Sequence, residues 1–176
     1  MKSVSIIVTC EEEEQQQLRR LLPDLLTLQY GGEYEVIVVD KKHDKDLAEW
    51  LEEMDAQHPH LSHTYCPASA KGLDLHKLAL TLGAKAANHE WLAILSPDAQ
   101  PASEDWLKKL LALCNDETEI VVGLINPGRH WNRFTSYLFR RRFSIYRPTT
   151  SIILCRRTTL LQGKPIKPTK RQIIKP

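Results

Sequence analysis

Short apolar segments recur along the chain and predict the strands of a buried sheet. Their centres are continuously apolar and rich in Val and Ile, a pattern typical of strands that are covered on both faces. A weaker segment, Ser62–Cys66, predicts a further strand of the same kind. The five clearest segments are Ser3–Thr9, Tyr34–Asp40, Glu90–Ser96, Glu119–Leu124 and Thr150–Cys155.

Amphipathic segments between these strands predict helices over Glu11–Leu28, Lys45–Gln57, Leu73–Asn88 and Ser103–Asn115. Pro23 is expected to break or kink the first helix near Leu22, because proline cannot donate a helical hydrogen bond. Ser103 is expected to cap the last helix with its side chain. The alternation of strands and helices predicts an α/β fold whose mostly parallel sheet is flanked by helices.

Charge is divided unevenly along the chain. The 176 residues are enough for one domain with a sizeable core, and their formal net charge is +2. All 22 acidic residues lie at or before Glu119, together with 11 basic residues, whereas the remainder carries 13 basic residues and no acid. No residue after Glu119 can therefore act as a carboxylate ligand or as a carboxylate base.

Cysteine spacing and hydropathy limit the class of protein. The sequence has no CxxC pair and no signal peptide, which favours reduced thiols in a cytosolic compartment over a disulfide framework. No apolar run approaches the roughly 20 residues that a membrane-spanning helix requires. The four cysteines are Cys10, Cys66, Cys114 and Cys155.

Two groups of potential ligands or nucleophiles carry weak signals. The histidines of HPHLSH, which are His58, His60 and His63, could gather a transition metal, but an exposed loop is the favoured interpretation. Cys10 ends the first strand without an accompanying His–Cys pattern. A small buried side chain is therefore favoured there over a nucleophile.

Polar residues stand at the carboxyl ends of three predicted parallel strands. Thr9 ends the first strand, Asp40 ends the second, and Ser96 and Asp98 follow the fourth. In open parallel sheets, ligands bind beyond the carboxyl ends of the strands. The arrangement is typical of a nucleotide or phosphate crevice, but strand ends also reach the surface, where polar residues are common. Both interpretations stay open on this pattern alone.

The first strand and its turn, SIIVTCEEEE, resemble the opening segment of family 2 glycosyltransferases, which usually reads as a strand followed by P-T-Y-N-E. Thr9 and Glu12 match that motif. Val8 replaces the proline, Cys10 replaces the tyrosine and Glu11 replaces the asparagine. The motif is short, so its weight depends on further segments in the same order.

Two later segments continue the resemblance over roughly Lys2–Leu111. EYEVIVVD is similar to the family's second strand, whose terminal acid matches Asp40, while Lys41 stands where a second acid often follows. KGLDLHKLALTLGAKAANHEWLAILSPDAQPASEDWL resembles the segment that leads through a long helix into the metal-binding D-x-D and on to P-x-x-x-W-L. Within it, KLALTLGAKAA followed by EWL resembles Bacteroidetes-like members.

The resemblance implies a GT-A fold, a Rossmann-like α/β domain that binds a nucleotide-diphosphate sugar and transfers the sugar to a glycan or lipid-linked acceptor. Thr9, Glu11 and Asp40 would line the base and ribose site, and Lys71 would contact the diphosphate. Asp98 would be the second acid of D-x-D and would hold Mg²⁺ or Mn²⁺, with a serine in the place of the first acid. Mg²⁺ commonly uses only one or two protein carboxylates besides phosphate oxygens and water, so one acid can suffice.

Inverting members of this family need a base that removes the proton from the acceptor hydroxyl. The base lies in an E-D pair that follows a segment similar to TSIILCRRTTLLQG, in which Arg156 and Arg157 match. No acid follows Glu119, so this pair is absent from the sequence. Either the chain is a fragment of a longer enzyme, or it is a divergent member that has lost transfer activity. The alternative function is then a non-catalytic GT-A relative that binds a membrane surface or a partner.

The basic part contains RHWNRFTSYLFRRRFSIYR, in which aromatic residues recur at helical spacing among arginines. An amphipathic helix of this kind packs its aromatic face on a sheet or lies on an anionic membrane. Arg140, Arg141 and Arg142 are the candidate contacts with membrane or phosphate. Nucleic acid is the least favoured partner because no recognition motif accompanies the charge. The expected location is cytoplasmic, with peripheral contact at the inner face of the membrane as an option.

These patterns predict one GT-A-like domain over residues 1–163. Its nucleotide-binding part covers about 1–115, and its basic acceptor-side part covers about 119–163. Residues 164–176 are rich in proline and basic residues, and we expect them to form a flexible tail.

Overall fold

A computed structural model describes residues 1–70, 73–101, 103–123 and 152–162. Its strands are β1 (Val4–Cys10), β2 (Tyr34–Asp40), β3 (Leu61–Tyr65), β4 (Trp91–Leu95), β5 (Ile120–Gly123) and β6 (Ile152–Arg156). They form one six-stranded sheet in the order β3-β2-β1-β4-β6-β5. All six predicted strands are therefore present, with bounds that differ by one or two residues where the structure describes them.

The sheet is mixed, and most of its strands share one direction. Strands β1 to β4 are mutually parallel, whereas β6 runs antiparallel to both β4 and β5. The predicted α/β fold with a mostly parallel sheet is confirmed. The insertion of β6 between β4 and β5 could not be predicted from its apolar residues, because a fully apolar strand looks the same in either direction.

Helices cover both faces of this sheet. A 3₁₀ turn at Glu12–Glu14 precedes the first helix. Side chains of the first, second and fourth helices pack on one face, and those of the third and fifth pack on the other. The helices are α1 (Gln15–Leu26), α2 (Lys45–Gln57), α3 (Leu75–Ala86), α4 (Trp106–Ala112) and α5 (Arg157–Leu161).

Helix α3 approaches the sheet closely at Gly83. A Cβ atom at this position would lie 2.7 Å from Ile7 Cγ2 and 3.3 Å from Val39 Cγ2. Both contacts are with side chains of the central strands β1 and β2, which are fully buried. The absence of a side chain at Gly83 thus sets how near α3 lies to the sheet.

The prediction that Pro23 breaks the first helix near Leu22 is wrong, whereas the kink stays a prediction. Helix α1 continues to Leu26 with Pro23 inside it. A proline in a helix interior costs about 3 kcal/mol, whereas each leucine buried after it contributes about 1.5–3 kcal/mol. Because Leu25 and Leu26 are 1% and 5% exposed, their burial outweighs the cost of the proline.

The prediction that Ser103 caps the fourth helix with its side chain is also wrong. Helix α4 begins at Trp106, and no side-chain hydrogen bond caps it. Ser103 instead accepts a hydrogen bond at its backbone oxygen from the Trp106 amide, at 3.1 Å. Its hydroxyl accepts one from Lys109 Nζ, at 3.3 Å. The turn before the helix, rather than a side chain, satisfies the first free amide.

All four cysteines are buried free thiols. Burial raises the pKa of Cys10 and of Cys155 to about 12, so both thiols stay protonated at neutral pH. Cys10 also donates a hydrogen bond from Sγ to the Glu11 carbonyl oxygen, at 3.1 Å. A protonated thiol is a weak nucleophile, which agrees with the prediction that Cys10 fills space.

Several predicted features lie outside the described residues. They include Lys71, the amphipathic basic segment with Arg140, Arg141 and Arg142, and the tail at 164–176. Among the helices that the structure describes, none is long and apolar enough to cross a membrane.

Candidate functional site

The carboxyl ends of the parallel strands meet at one edge of the sheet. Cys10 of β1 pairs with Asp40 of β2, and Asp40 pairs with Tyr65 of β3. On the other side of β1, Val8 pairs with Leu95, the last residue of β4. Ser96 and Asp98 therefore follow β4 at the same edge that Thr9 and Asp40 reach. We call this edge, with the loops that follow β1, β2 and β4, the crevice.

Side chains reach the crevice from both faces of the sheet. Cys10 belongs to the core on the face of α1 and α2, and Ile7 belongs to the core on the face of α3. Because side chains alternate along a strand, Thr9 points to the α3 face and Asp40 to the α2 face. A ligand that lies across the edge would consequently be contacted from two sides.

Asp40 organises the loop that follows β2. Its side chain is 5% exposed. One carboxylate oxygen accepts a hydrogen bond from the Lys42 amide at 2.8 Å, and the other accepts one from the Asp44 amide at 2.6 Å. Asp44 in turn caps α2 by accepting a hydrogen bond from the Leu47 amide at 2.9 Å. A carboxylate offers about four acceptor positions, so roughly two remain for a ligand.

An ion pair joins the loop after β1 to the loop after β2. Lys41 Nζ lies 2.9 Å from Glu11 Oε1, with side-chain exposures of 7% and 47% respectively. The hydrogen bond and charge of Lys41 lower the pKa of Glu11 below its ordinary value. Lys42 extends the contact to Glu12, at 3.5 Å on the surface.

This ion pair joins two residues at which the sequence differs from the motifs that it resembles. Glu11 stands where asparagine is usual, and Lys41 stands where a second acid is usual. Each departure alone would place an unmatched charge at the crevice, but together they form a pair. Their positions in the sequence are 30 residues apart, so only the parallel pairing of β1 with β2 reveals the compensation. Sequence reasoning noted both substitutions and missed the contact.

Asp98 lies on a hydrogen-bonded β-turn after β4. The Ala99 amide donates to the Ser96 carbonyl oxygen at 2.9 Å, which places Pro97 at the second position of the turn. Proline is favoured there because its fixed φ suits the turn. Pro97 and Ala99 are buried, whereas Asp98 is exposed. The proline of Ser-Pro-Asp therefore holds a turn that presents one carboxylate to solvent.

The described residues fit a metal that arrives with a diphosphate better than a metal held by protein alone. No group of three or more His, Cys, Asp or Glu side chains in the described part of the chain could hold an ion. The finding covers the histidines of HPHLSH, where His60 Nε2 instead lies 3.1 Å from the Leu26 carbonyl oxygen. Asp98 with the nearby Ser96 hydroxyl can complete a Mg²⁺ site only if phosphate oxygens and water supply the other ligands.

Arg156 and Arg157 lie at the opposite edge of the sheet. Arg156 pairs with Trp91 at the start of β4, and its guanidinium lies over the Trp91 ring, 4.9 Å from the centroid. It donates to the carbonyl oxygens of Asn115, Asp116 and Thr118 at 3.1–3.2 Å and forms an ion pair with Glu90.

Arg157 closes the end of α3. It donates to the carbonyl oxygens of Ala84 and Lys85, at 2.8 and 3.2 Å. Cations and donors at a helix C-terminus satisfy its free carbonyls. A cavity of about 330 Å³ lies beside Arg156 and Glu90, also at this edge. The cavity lies away from the crevice, and Arg156 is already bound to protein groups. We therefore assign this edge a structural role.

Comparisons with known proteins agree with this geometry. The sequence model described as "Glycosyl transferase family 2" matches residues 5–166. No curated protein matches the sequence.

Several solved glycosyltransferases share this fold. The mannosyltransferase PcManGT from Pyrobaculum calidifontis, in complex with GDP-Man and Mn²⁺, superposes with a TM-score of 0.67 at 20% identity, and the match covers 92% of this chain and 46% of that one. TarS 1-349 from S. aureus, in complex with UDP-GlcNAc, superposes with a TM-score of 0.60 at 20% identity, covering 93% and 47%. The GT-A fold is confirmed, and the chain spans about half the length of these structures.

Proposed function

The chain belongs to glycosyl transferase family 2, and from this premise we propose that it binds a nucleotide-diphosphate sugar in the crevice for transfer to a glycan or lipid-linked acceptor. The observation that carries the proposal is the shared edge of β1, β2 and β4, where Thr9, Asp40 and Asp98 follow the order of the family's motifs. The two solved relatives contain GDP-Man and UDP-GlcNAc, which supports a nucleotide sugar as the ligand class.

We assign each candidate residue a chemical role, and for Lys71, which lies outside the described residues, the assignment rests on the sequence alone. Thr9 and Glu11 line the base and ribose part, together with the two acceptor positions that remain on Asp40. Lys71 contacts the diphosphate, whose charge suits an ammonium group. Asp98 holds Mg²⁺ or Mn²⁺ together with the diphosphate.

The metal, when bound, neutralises the charge that develops on the leaving diphosphate. Asp98, an exposed carboxylate on the hydrogen-bonded turn, would hold the ion together with oxygens of the donor. The Mn²⁺ in the Pyrobaculum structure supports a divalent ion in this fold. Metal and nucleotide should therefore bind together rather than one after the other.

Acceptor activation is assigned to no residue of this chain. An inverting transfer needs a base near the acceptor hydroxyl, and no Asp or Glu follows Glu119. We therefore confine the proposal for described side chains to donor binding.

Contact with an anionic membrane surface is a second part of the proposal. Its support is the charge division along the sequence, with Arg140, Arg141 and Arg142 inside a segment that contains no acid. Such contact would hold the protein at a membrane that carries a lipid-linked acceptor, at its inner face. Sedimentation with anionic liposomes should fall when these three arginines become alanine, and equal sedimentation would contradict the assignment.

Titration with nucleotide sugars tests donor binding directly. The protein should show a rise in melting temperature with a UDP- or GDP-sugar and Mn²⁺, and Asp98→Asn should reduce the rise. Asp55→Asn is a matched control, because it makes the same change at an exposed position in the last turn of α2, just before the start of β3 and away from the crevice. Absence of stabilisation by every donor would refute the proposal.

A further inference from the structure

His43 has a backbone conformation that few non-glycine residues adopt. It lies in the loop between β2 and α2 with a φ of +57°, and among the described residues it is the non-glycine residue with a positive φ. A side chain with a Cβ atom makes this left-handed region unfavourable. Conformations of this kind persist only where surrounding contacts impose them, and they concentrate at functional sites.

The Asp40 carboxylate imposes this conformation. Its two oxygens accept hydrogen bonds from the Lys42 and Asp44 amides, which are the residues immediately before and after His43. Asp40 itself is 5% exposed at the end of a central strand, so it is a fixed anchor. Asp44 is held further by its capping contact with α2. The loop therefore has little freedom to relax His43 into an ordinary conformation.

The result of this conformation is a pair of stacked, accessible rings. The His43 ring lies over the Tyr65 ring, with centroids 3.8 Å apart and planes inclined by 33°. Tyr65 is 50% exposed, and His43 is exposed as well. Burial in the core does not compensate the unfavourable backbone, because neither ring is in the core. A large aromatic ring left open beside a crevice is a stacking surface for a planar ligand.

The position of the pair indicates which part of a ligand it would meet. Tyr65 is the β3 partner of Asp40, so the rings flank the carboxylate that keeps two acceptor positions free. The metal-side residue, Asp98, lies across β1 and after β4. Cys10, at the position of the tyrosine in the family motif, is fully buried and offers no ring. The aromatic surface of the crevice thus lies on the β2–β3 side, away from the diphosphate end.

We propose that His43 and Tyr65 form a platform on which the nucleobase of the donor stacks, and that Asp40 positions this platform. The inference rests on the proposed function, since it takes the ligand of the crevice to be a nucleotide. It assigns base recognition to two residues outside the motif positions of the sequence. Tyr65 contacts the base with one face of its ring, and His43 lies over the other face.

Binding of nucleotides with and without a base tests the platform. Isothermal titration of UDP and of GDP, each with Mn²⁺, should show about 10-fold or greater loss of affinity for Tyr65→Ala, because stacking of one base on an aromatic ring has roughly that worth. Tyr65→Phe should bind as the parent protein does. Pyrophosphate with Mn²⁺, which has no base, should bind Tyr65→Ala and the parent equally.

His43→Gly separates a platform from a structural role. Glycine adopts a positive φ freely, so this variant should keep or raise the melting temperature while it weakens UDP and GDP binding. His60→Ala is the matched control, because His60 forms a similar pair with Tyr34, at 5.0 Å, near the opposite end of β2. It should leave nucleotide affinity unchanged.

Each outcome assigns a cause. Unchanged affinity of Tyr65→Ala for UDP and GDP would overturn the platform while donor binding stood. An equal loss of affinity for nucleotides and for pyrophosphate would also overturn it. So would a variant that binds UDP as the parent does and loses affinity only for a UDP-sugar. Failure of the parent protein to bind any nucleotide would refute the proposed function itself, and the platform with it.

Discussion

Lys41 and Glu11 should respond very differently to substitution, although they form one ion pair. Lys41 is 7% exposed in its side chain, and Glu11 is 47% exposed. Removing Glu11 leaves a buried ammonium without its carboxylate, whereas removing Lys41 leaves a carboxylate that water can reach. The cost of an unmatched charge depends on how fully it is withdrawn from water.

The magnitudes follow from these exposures. Breaking a fully buried pair by removing one partner costs about 3–5 kcal/mol, and losing a surface pair costs about 0–1 kcal/mol. Glu11→Ala opens some access for water, so we expect a cost of about 2–3 kcal/mol, below the fully buried range. Lys41→Met keeps the apolar stem and should cost about 1 kcal/mol or less. The double variant removes the stranded ammonium and should recover most of the loss caused by Glu11→Ala.

Urea unfolding of the four proteins, followed by circular dichroism, measures this cycle. Equal dependence on urea across the set would establish that the variants unfold between comparable states. The pKa of Glu11 is lowered in the folded protein, so the stability from its charge is present above its ordinary value of 4.5 and is lost as the pH falls through the lowered pKa. The coupling should vanish over that range. Equal costs for the two single variants, or additive costs in the double variant, would refute the reasoning.

Three further predictions concern the edges of the sheet and its packing. Burial by itself would raise the pKa of Glu35, but hydrogen bonds from Ser5 and from Asn88 outweigh it and lower the pKa. Glu35→Gln should therefore lower the free energy of unfolding by about 1 kcal/mol at neutral pH and leave it unchanged at low pH. A loss of stability that persists at pH 3 in chemical unfolding would contradict this. Gly83→Ala should destabilise the protein by about 1–3 kcal/mol through overpacking, because the added Cβ would meet Ile7 at 2.7 Å. A melting temperature equal to the parent's would show instead that α3 shifts freely. Mn²⁺ binding, detected by electron paramagnetic resonance, should be measurable only when UDP or GDP is present, and the Asp98→Asn variant should bind Mn²⁺ more weakly. Tight Mn²⁺ binding without nucleotide would show a metal site that the described residues do not form.

The Ser-Pro-Asp segment shows how local chemistry remains informative when a motif is degraded. In the assignment proposed above, Ser-Pro-Asp stands at D-x-D with a single carboxylate, which alone would be a weak metal ligand. The turn closed by Ser96 and Ala99 gives that carboxylate a fixed, exposed position. The reduced motif is therefore compatible with a metal whose other ligands come from the donor.

The paired arginines illustrate the opposite case. Arg156 and Arg157 match a family segment that precedes the base, yet in this chain their guanidinium groups bind backbone oxygens at the far edge of the sheet. Their contacts tie the loop before β5 to β6 and the end of α3 to the start of α5. A motif match does not by itself reveal what the side chains contact.

The sequence by itself determined the elements and the class of fold. Continuous Val and Ile runs and amphipathic segments show, within a few residues of sequence, which side of each element faces the core. The order of motifs at strand ends identified the family, and the carboxyl-end rule placed Thr9, Asp40 and Asp98 at one edge. The errors at Pro23 and Ser103 arose where tertiary burial and a backbone turn outweighed local propensity.

Only the tertiary structure decided which distant residues meet. The pairing of Glu11 with Lys41, the anchoring of His43 by Asp40 and the stacking of His43 on Tyr65 all depend on the register of β1, β2 and β3. Register is set by contacts between residues far apart in the chain, and no local pattern records it. Packing likewise decided the direction of β6 and the contacts of Arg156 and Arg157. The type of a side chain limits what it can contact, and the fold determines what it does contact.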